Sequence, residues 1–217
     1  MKQPARRPSN PHTLAESADR SITLAGLEHL ARLQTIRQAS QLPANAAVPD
    51  PPSYRRCTAR LAQQHGSAGG AAAATFKSEC RKEYETVRAS TLTSWIIDAW
   101  ISAEAARMGL TVSLAETDRQ IGKEGIKHRL LREFGAKPAD LRPLVKPDLL
   151  EHKIFATLPA FGRMRRAAHE TMQMADEIDN EDAAYATALK RKWTPRTACQ
   201  RVFLVIGCSG FTSGPPS

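Results

Sequence analysis

The chain lacks a long apolar run. Its stretch Val202–Gly207 falls far short of the roughly 20 residues that a membrane-crossing helix needs. An integral helical membrane protein is therefore excluded as the sequence stands. Aromatic residues are scarce, at 6%, and hydrophobic residues make up 41% of 217. That length suits one or two domains whose core rests mainly on aliphatic side chains. Phosphate-binding glycine motifs are missing, both G-x-x-x-x-G-K-[ST] and G-x-G-x-x-G. His169-Glu170-Thr171-Met172-Gln173 starts like the zinc motif H-E-x-x-H, but Gln173 stands where the second ligand is required. In Gly207-Cys208-Ser209-Gly210-Phe211 the glycines are misplaced for a nucleophile elbow. No catalytic constellation and no cofactor follow. A secretory signal is also missing: Met1–Pro11 begins basic, but no apolar segment follows. Cytosolic residence and a true start upstream both stay open. Leu204–Cys208 looks like a bacterial lipobox, which works only behind an N-terminal signal and here lies near the other end.

What is present starts with charge. Lysine and arginine number 31 against 22 acidic residues, a net +9. Such a balance favours nucleic acid, an anionic lipid surface or an acidic polypeptide. Lys190, Arg191, Lys192, Arg196 and Arg201 lie in a stretch without an acidic residue. They fit a phosphate-binding cluster, or simply a solvated face. No helix-turn-helix, basic-zipper or aromatic RNA-binding pattern accompanies them.

Along the chain, residues 1–20 are polar and hold Pro4, Pro8 and Pro11, which predicts a disordered arm. Leu24, Leu27, Leu30, Leu33 and Ile36 form one stripe, predicting a helix from Leu24 to Ser40 with Thr23 as N-cap. Residues 43–56 carry four prolines and read as an extended linker; residues 64–75 read as a mobile, low-complexity loop. Ser78 to Met108 holds neither proline nor glycine and predicts the longest helix, ended by Gly109. Ser113 and Glu116 have capping-box spacing, so the next helix begins at Leu114; Gly122 and Gly125 should soften or break it before Phe134. Pro147 is expected to open a further helix. Phe161 to Trp193 is proline-free, with a restart at Asp179 or Asn180. The tail from Arg201 to Cys208 is β-prone.

Four cysteines remain: Cys57, Cys80, Cys199 and Cys208. Structural zinc sites use close pairs such as C-x₂₋₄-C, a spacing not found here. Two local disulfides are the favoured reading, each stabilising by roughly 3 kcal/mol in the chain-entropy description. Four unrelated buried thiols are the other. Disulfides imply an oxidising, extracytoplasmic compartment.

Three segments together carry a family resemblance. Ile22–His29 resembles the opening helix of SurA N-terminal-like chaperone domains, found in SurA and PrsA-type foldases. Val48-Pro49-Asp50-Pro51-Pro52, Tyr54 and Cys57, then Cys80, Tyr84, Trp100, Glu104, Ala105, Gly109, Val112 and Glu116, resemble the motif order of its extracytoplasmic branch. Trp193, Arg196, Thr197, Cys199, Val205 and Cys208 resemble that branch's closing tail. The resemblance spans about Ile22 to Gly210. It supports the pairings Cys57–Cys80 and Cys199–Cys208.

The resemblance implies an all-α, SurA-N-like helical chaperone domain of five or six helices, with a small disulfide-closed C-terminal loop or hairpin. The boundaries are a helical domain over 21–194, a disulfide-bearing tail over 195–210 and a disordered end over 211–217. It further implies a cofactor-free protein in the periplasm or at the cell surface that binds unfolded or exported polypeptides, with an anionic envelope surface as a further partner. Trp95, Trp100, Met164, Met172 and Met174 are the candidate client-binding residues, and the same side chains suit a core. The parvulin isomerase domain of full-length foldases does not fit, because only about twenty residues separate Leu158 from Asn180 and such a domain needs about 100. Pro143 and Pro147 depart from the family's continuous helix and should bend or split it. A degenerate prolyl isomerase and a basic nucleic-acid-binding protein are the alternatives. The cysteine reading has a direct check: the unreduced, denatured protein should titrate no free thiol, and four would remove the argument for export.

Overall fold

The computed structural model describes residues 8–10, 12–43, 45–66, 70–158, 173–200, 203, 205 and 207–209, with backbone alone at 70–71 and 173–182. The chain is mostly helical, at 68%, with a small sheet beside the helices. In order, the elements are β1 (Thr13–Ser17), β2 (Arg20–Thr23), α1 (Leu24–Ser40), α2 (Arg55–His65), α3 (Gly70–Arg107), α4 (Leu114–Lys123), α5 (His128–Glu133), α6 (Arg142–Phe155), α7 (Gln173–Trp193) and β3 (Ala198–Cys199). Among the described residues there are thus seven α-helices, where five or six were expected. The chain divides into two compact units. One comprises Met1–Leu24, Thr93–Leu114 and Lys146–Ser217; the other comprises Ala25–Leu92 and Ala115–Val145.

The second unit holds α1, α2, the N-terminal part of α3, α4, α5 and the start of α6. Helix α1 keeps its predicted bounds and buries Leu27, Ala31, Leu33 and Ile36. In the linker expected over 43–56, residues 46–50 have no regular structure, 51–53 form a turn, and α2 begins at Arg55. The mobile loop expected over 64–75 is helical up to His65 and again from Gly70. Poly-alanine explains the second correction, since Ala71–Ala74 have the highest helix propensity of any residue type. The predicted break after Leu114 is real. Helix α4 ends at Lys123, Gly125 takes a φ of 65°, and α5 begins at His128. Arg37 holds this break by donating to both oxygens of Glu124 at 2.9 and 3.0 Å. Helix α6 begins at Arg142, not at Pro147, which lies inside it. Pro143 occupies the first turn, where a missing N–H costs nothing.

The first unit gathers both ends of the described chain around the C-terminal part of α3. Residues 13–17, expected within a disordered arm, form the central strand of a three-stranded sheet with order β2-β1-β3. β1 pairs antiparallel with β2, Ser17 opposite Arg20, and with β3, Ala15 opposite Cys199. The β1–β2 hairpin is local but its turn, Ala18-Asp19, lacks the glycine or asparagine that marks such turns, and the β3 partner is distant in sequence, which is why composition alone misread the segment. Helix α3 stops with Leu110 N–H bonded to Ala105 O at 2.8 Å and Gly109 at a φ of 70°, a Schellman ending. Helix α7 runs through Asp179 and Asn180 without a restart. Gly207 has a φ of 102°, and a β-carbon there would stand 2.9 Å from Ile96 Cγ2 and 3.2 Å from Trp100 Cη2. Only glycine lets the tail backbone approach α3 so closely.

The hairpin turn Ala18-Asp19 places Ala18 at a φ of 55°. An L-residue there carries roughly 1–2 kcal/mol of strain. Ala18→Gly should therefore raise stability by about 1 kcal/mol, or about 2–4 °C in Tm. Calorimetry checks this; an unchanged or lowered midpoint would contradict the turn geometry.

Candidate functional site

The residues that carry the resemblance converge on two clusters, one in each unit. In the second unit, Asp50 is buried and its carboxylate accepts from the backbone N–H of Arg56 at 3.1 Å and of Cys57 at 3.0 Å. These are first-turn amides of α2 with no partner inside the helix, so Asp50 caps it from five residues upstream. The Pro51-Pro52 turn brings it there, with Tyr54 at a φ of 57° and its N–H on Asp50 O at 3.0 Å. Tyr54 then meets Tyr84 edge-on, ring centroids 6.4 Å apart. Cys57 bonds Cys80, and both disulfide sulfurs lie in a buried cluster with Ala31, Tyr54 and Tyr84. Tyr84 Oη donates to Glu28 Oε2 at 2.7 Å, and Arg88 donates to Glu28 Oε1 at 3.0 Å. Burial pushes the Tyr84 hydroxyl well above its ordinary range, and the bond to Glu28 adds to the shift.

In the first unit, Trp100 Nε1 donates to Ser17 Oγ at 2.8 Å and Thr197 Oγ1 at 2.9 Å. Thr197 spends its own proton on Trp193 O at 3.0 Å, so Ser17 donates in the 2.9 Å contact between the two hydroxyls. One turn further along α3, Glu104 is 4% exposed. Its carboxylate accepts from Lys192 Nζ, from Trp193 Nε1 at 3.0 Å and from Arg107 Nε at 2.9 Å. Burial acts to raise the Glu104 pKa, but these hydrogen bonds outweigh it and hold the carboxyl below its usual value. Cys199 and Cys208 close the tail beside this network.

The candidate residues therefore fall as follows. The four cysteines pair as the resemblance implied. Trp95 and Trp100 are buried, at 5% and 4% exposure. In this structure they pack as core side chains. Met164 and Met172 lie outside the described residues, and of Met174 only the backbone is described. In the basic cluster, Lys192 is committed to Glu104, while Lys192 and Arg196 both lie over the Trp193 ring, at 5.3 and 5.5 Å. Arg201 lies outside the described residues.

What the motifs do not announce is a cleft of about 260 Å³ in the second unit. Ala39, Val48, Leu130 and Phe134 supply its apolar floor. Arg56, Arg60, Lys127 and Arg129 supply its basic side, against Asp50 and Glu133. Arg56 and Arg60 come from one face of α2, while Cys57 and Leu61 on the adjoining face pack into the core. A 3.6-residue period through 56–63 was the available signal, hidden by the linker reading on one side and the loop reading on the other. Among the described residues no group of His, Cys, Asp and Glu is placed to hold a metal ion, and no helix is long and apolar enough to cross a membrane. The chain matches no protein-family profile, no curated protein and no solved structure.

The Glu104 network makes a pH prediction. Its folded pKa lies below the ordinary 4.5. Its contribution is therefore complete above that value and is lost as pH falls through the folded pKa. Glu104→Gln should cost about 2 kcal/mol at pH 7, the scale of hydrogen bonds to a charged group. It should also flatten the acid limb of the stability profile. Urea titrations between pH 3 and 7 read both, and a variant with the parent's acid limb would refute the assignment.

Proposed function

We propose that the protein is a non-catalytic, extracytoplasmic polypeptide-binding protein of the chaperone type, similar in kind to SurA N-terminal-like domains. The observation that carries this reading is the open cleft of the second unit, with apolar side chains below and an excess of arginine and lysine beside them. An unfolded chain offers apolar side chains and carboxylates together, and a surface presenting both complements can hold many sequences. The two disulfides support residence in an oxidising compartment, in the periplasm or at the cell surface. The net charge of +9 supports long-range attraction of acidic clients. No cofactor enters this reading, because holding a client changes no covalent bond.

At stoichiometric ratio the purified protein should suppress aggregation of a chemically unfolded acidic client, measured by light scattering, and raised salt should weaken the effect. No suppression at several-fold excess would overturn the reading. A proline-peptide isomerisation assay should give the uncatalysed rate; acceleration would favour the isomerase alternative.

A further inference from the structure

We propose that the cleft of the second unit takes the free C-terminal carboxylate of a polypeptide whose last residue is apolar. The inference rests on the polypeptide-binding reading and names the part of the client that the cleft accepts.

Size limits the occupant first. Pockets for whole drug-sized ligands run from about 300 to 1,000 Å³. A cleft of about 260 Å³ has room for one or two residues, and not for a helix or a long extended segment.

Charge then selects the group. Both acidic side chains of the cleft are already engaged. Asp50 accepts from the amides of Arg56 and Cys57, and Glu133 lies 3.3 Å from Arg129 and 3.7 Å from Arg56. Arg56 is held further by its contact over the Phe134 ring at 5.4 Å and by donating to Glu133 O at 2.7 Å. Lys127 uses a donor on Leu42 O at 2.8 Å. Arg60 differs from these three. It is half-buried and has no hydrogen-bond or ion-pair partner among the described residues. A guanidinium presents five donors in a fork that fits a carboxylate bidentately. Leaving it half-buried without an anion forgoes that interaction, and a bound carboxylate restores it.

The combination with the apolar floor decides between kinds of carboxylate. An aspartate or glutamate side chain ends in the charge and brings no apolar group of its own. A terminal residue such as leucine carries carboxylate and apolar side chain on one α-carbon. It can meet Arg60 and the Leu130–Phe134 floor together.

The test is calorimetric titration of the full chain with N-acetyl-Ala-Leu as the free acid, with its C-terminal amide, and with octanoate. The acid should bind about tenfold or more tightly than the amide, and the preference should shrink as salt rises. Arg60→Gln should abolish that preference with Tm unchanged, since Arg60 supports no other described group. Equal binding of acid and amide, no binding of either in the millimolar range, or an unaffected Arg60→Gln would overturn the proposal. Octanoate binding more tightly than the peptide acid would assign the cleft to free apolar acids and overturn it equally. Acid preference lost while aggregation suppression persists would remove this site alone. Acid preference without suppression would remove the chaperone reading alone.

Discussion

Trp100 and Glu104, one turn apart on α3, are the polar groups around which the first unit is organised. Both are buried, and a buried N–H or carboxylate without partners costs about 1–3 kcal/mol or more. Helix α3 alone satisfies only part of that demand, through Arg107. The remaining partners come from the two ends of the described chain: Ser17 from β1, and Lys192, Trp193 and Thr197 from the end of α7 and the segment after it. The pairing of Ala15 with Cys199 follows in register, and Gln200 N–H reaches Leu14 O at 2.8 Å. Gly207 lets the tail backbone settle against the same stretch of α3, and the Cys199–Cys208 bond closes it.

The second unit solves a different problem, the start of a short helix. Helix α2 has 11 residues, too few to be stable alone. Asp50 satisfies its first amides, the Cys57–Cys80 bond ties it to α3, and Tyr54 packs edge-on to Tyr84. These three attachments use the face that carries Cys57 and Leu61. The adjoining face keeps Arg56 and Arg60 for the cleft. The lining of the cleft is thus a consequence of how the helix is anchored. Anchor and cleft residues alternate along this stretch: Cys57 is buried in the core, Arg56 and Arg60 line the cleft, and Asp50 serves both.

Much of this was legible beforehand. The stripe Leu24, Leu27, Leu30, Leu33, Ile36 marks α1, and burial claims Leu27, Leu33 and Ile36 of it while Leu24 at the start stays 47% exposed. Gly109 and Gly125 mark their breaks because their positive φ values favour glycine. Other parts were not. The strand Thr13–Ser17 pairs on one side with the next segment through a turn without glycine or asparagine and on the other with Ala198–Cys199, and so short a strand has little period of its own. Asp50 in a run of prolines reads as linker until the helix that it caps is seen. Trp100 and Glu104 stood out as motif residues, but sequence does not say which hydroxyl or amine answers a buried indole. Arg60 had no signal beyond its place on α2, a helix hidden between two segments read as loop.

The central claim is that one buried polar network locks both ends of the described chain to α3. Native-state hydrogen exchange, read at residues 13–17 and 197–200, tests it most directly. The two segments should share one opening free energy, and Trp100→Phe should lower both together by about 1–3 kcal/mol. Separate opening energies, or a variant that loosens one segment and leaves the other unchanged, would contradict the account.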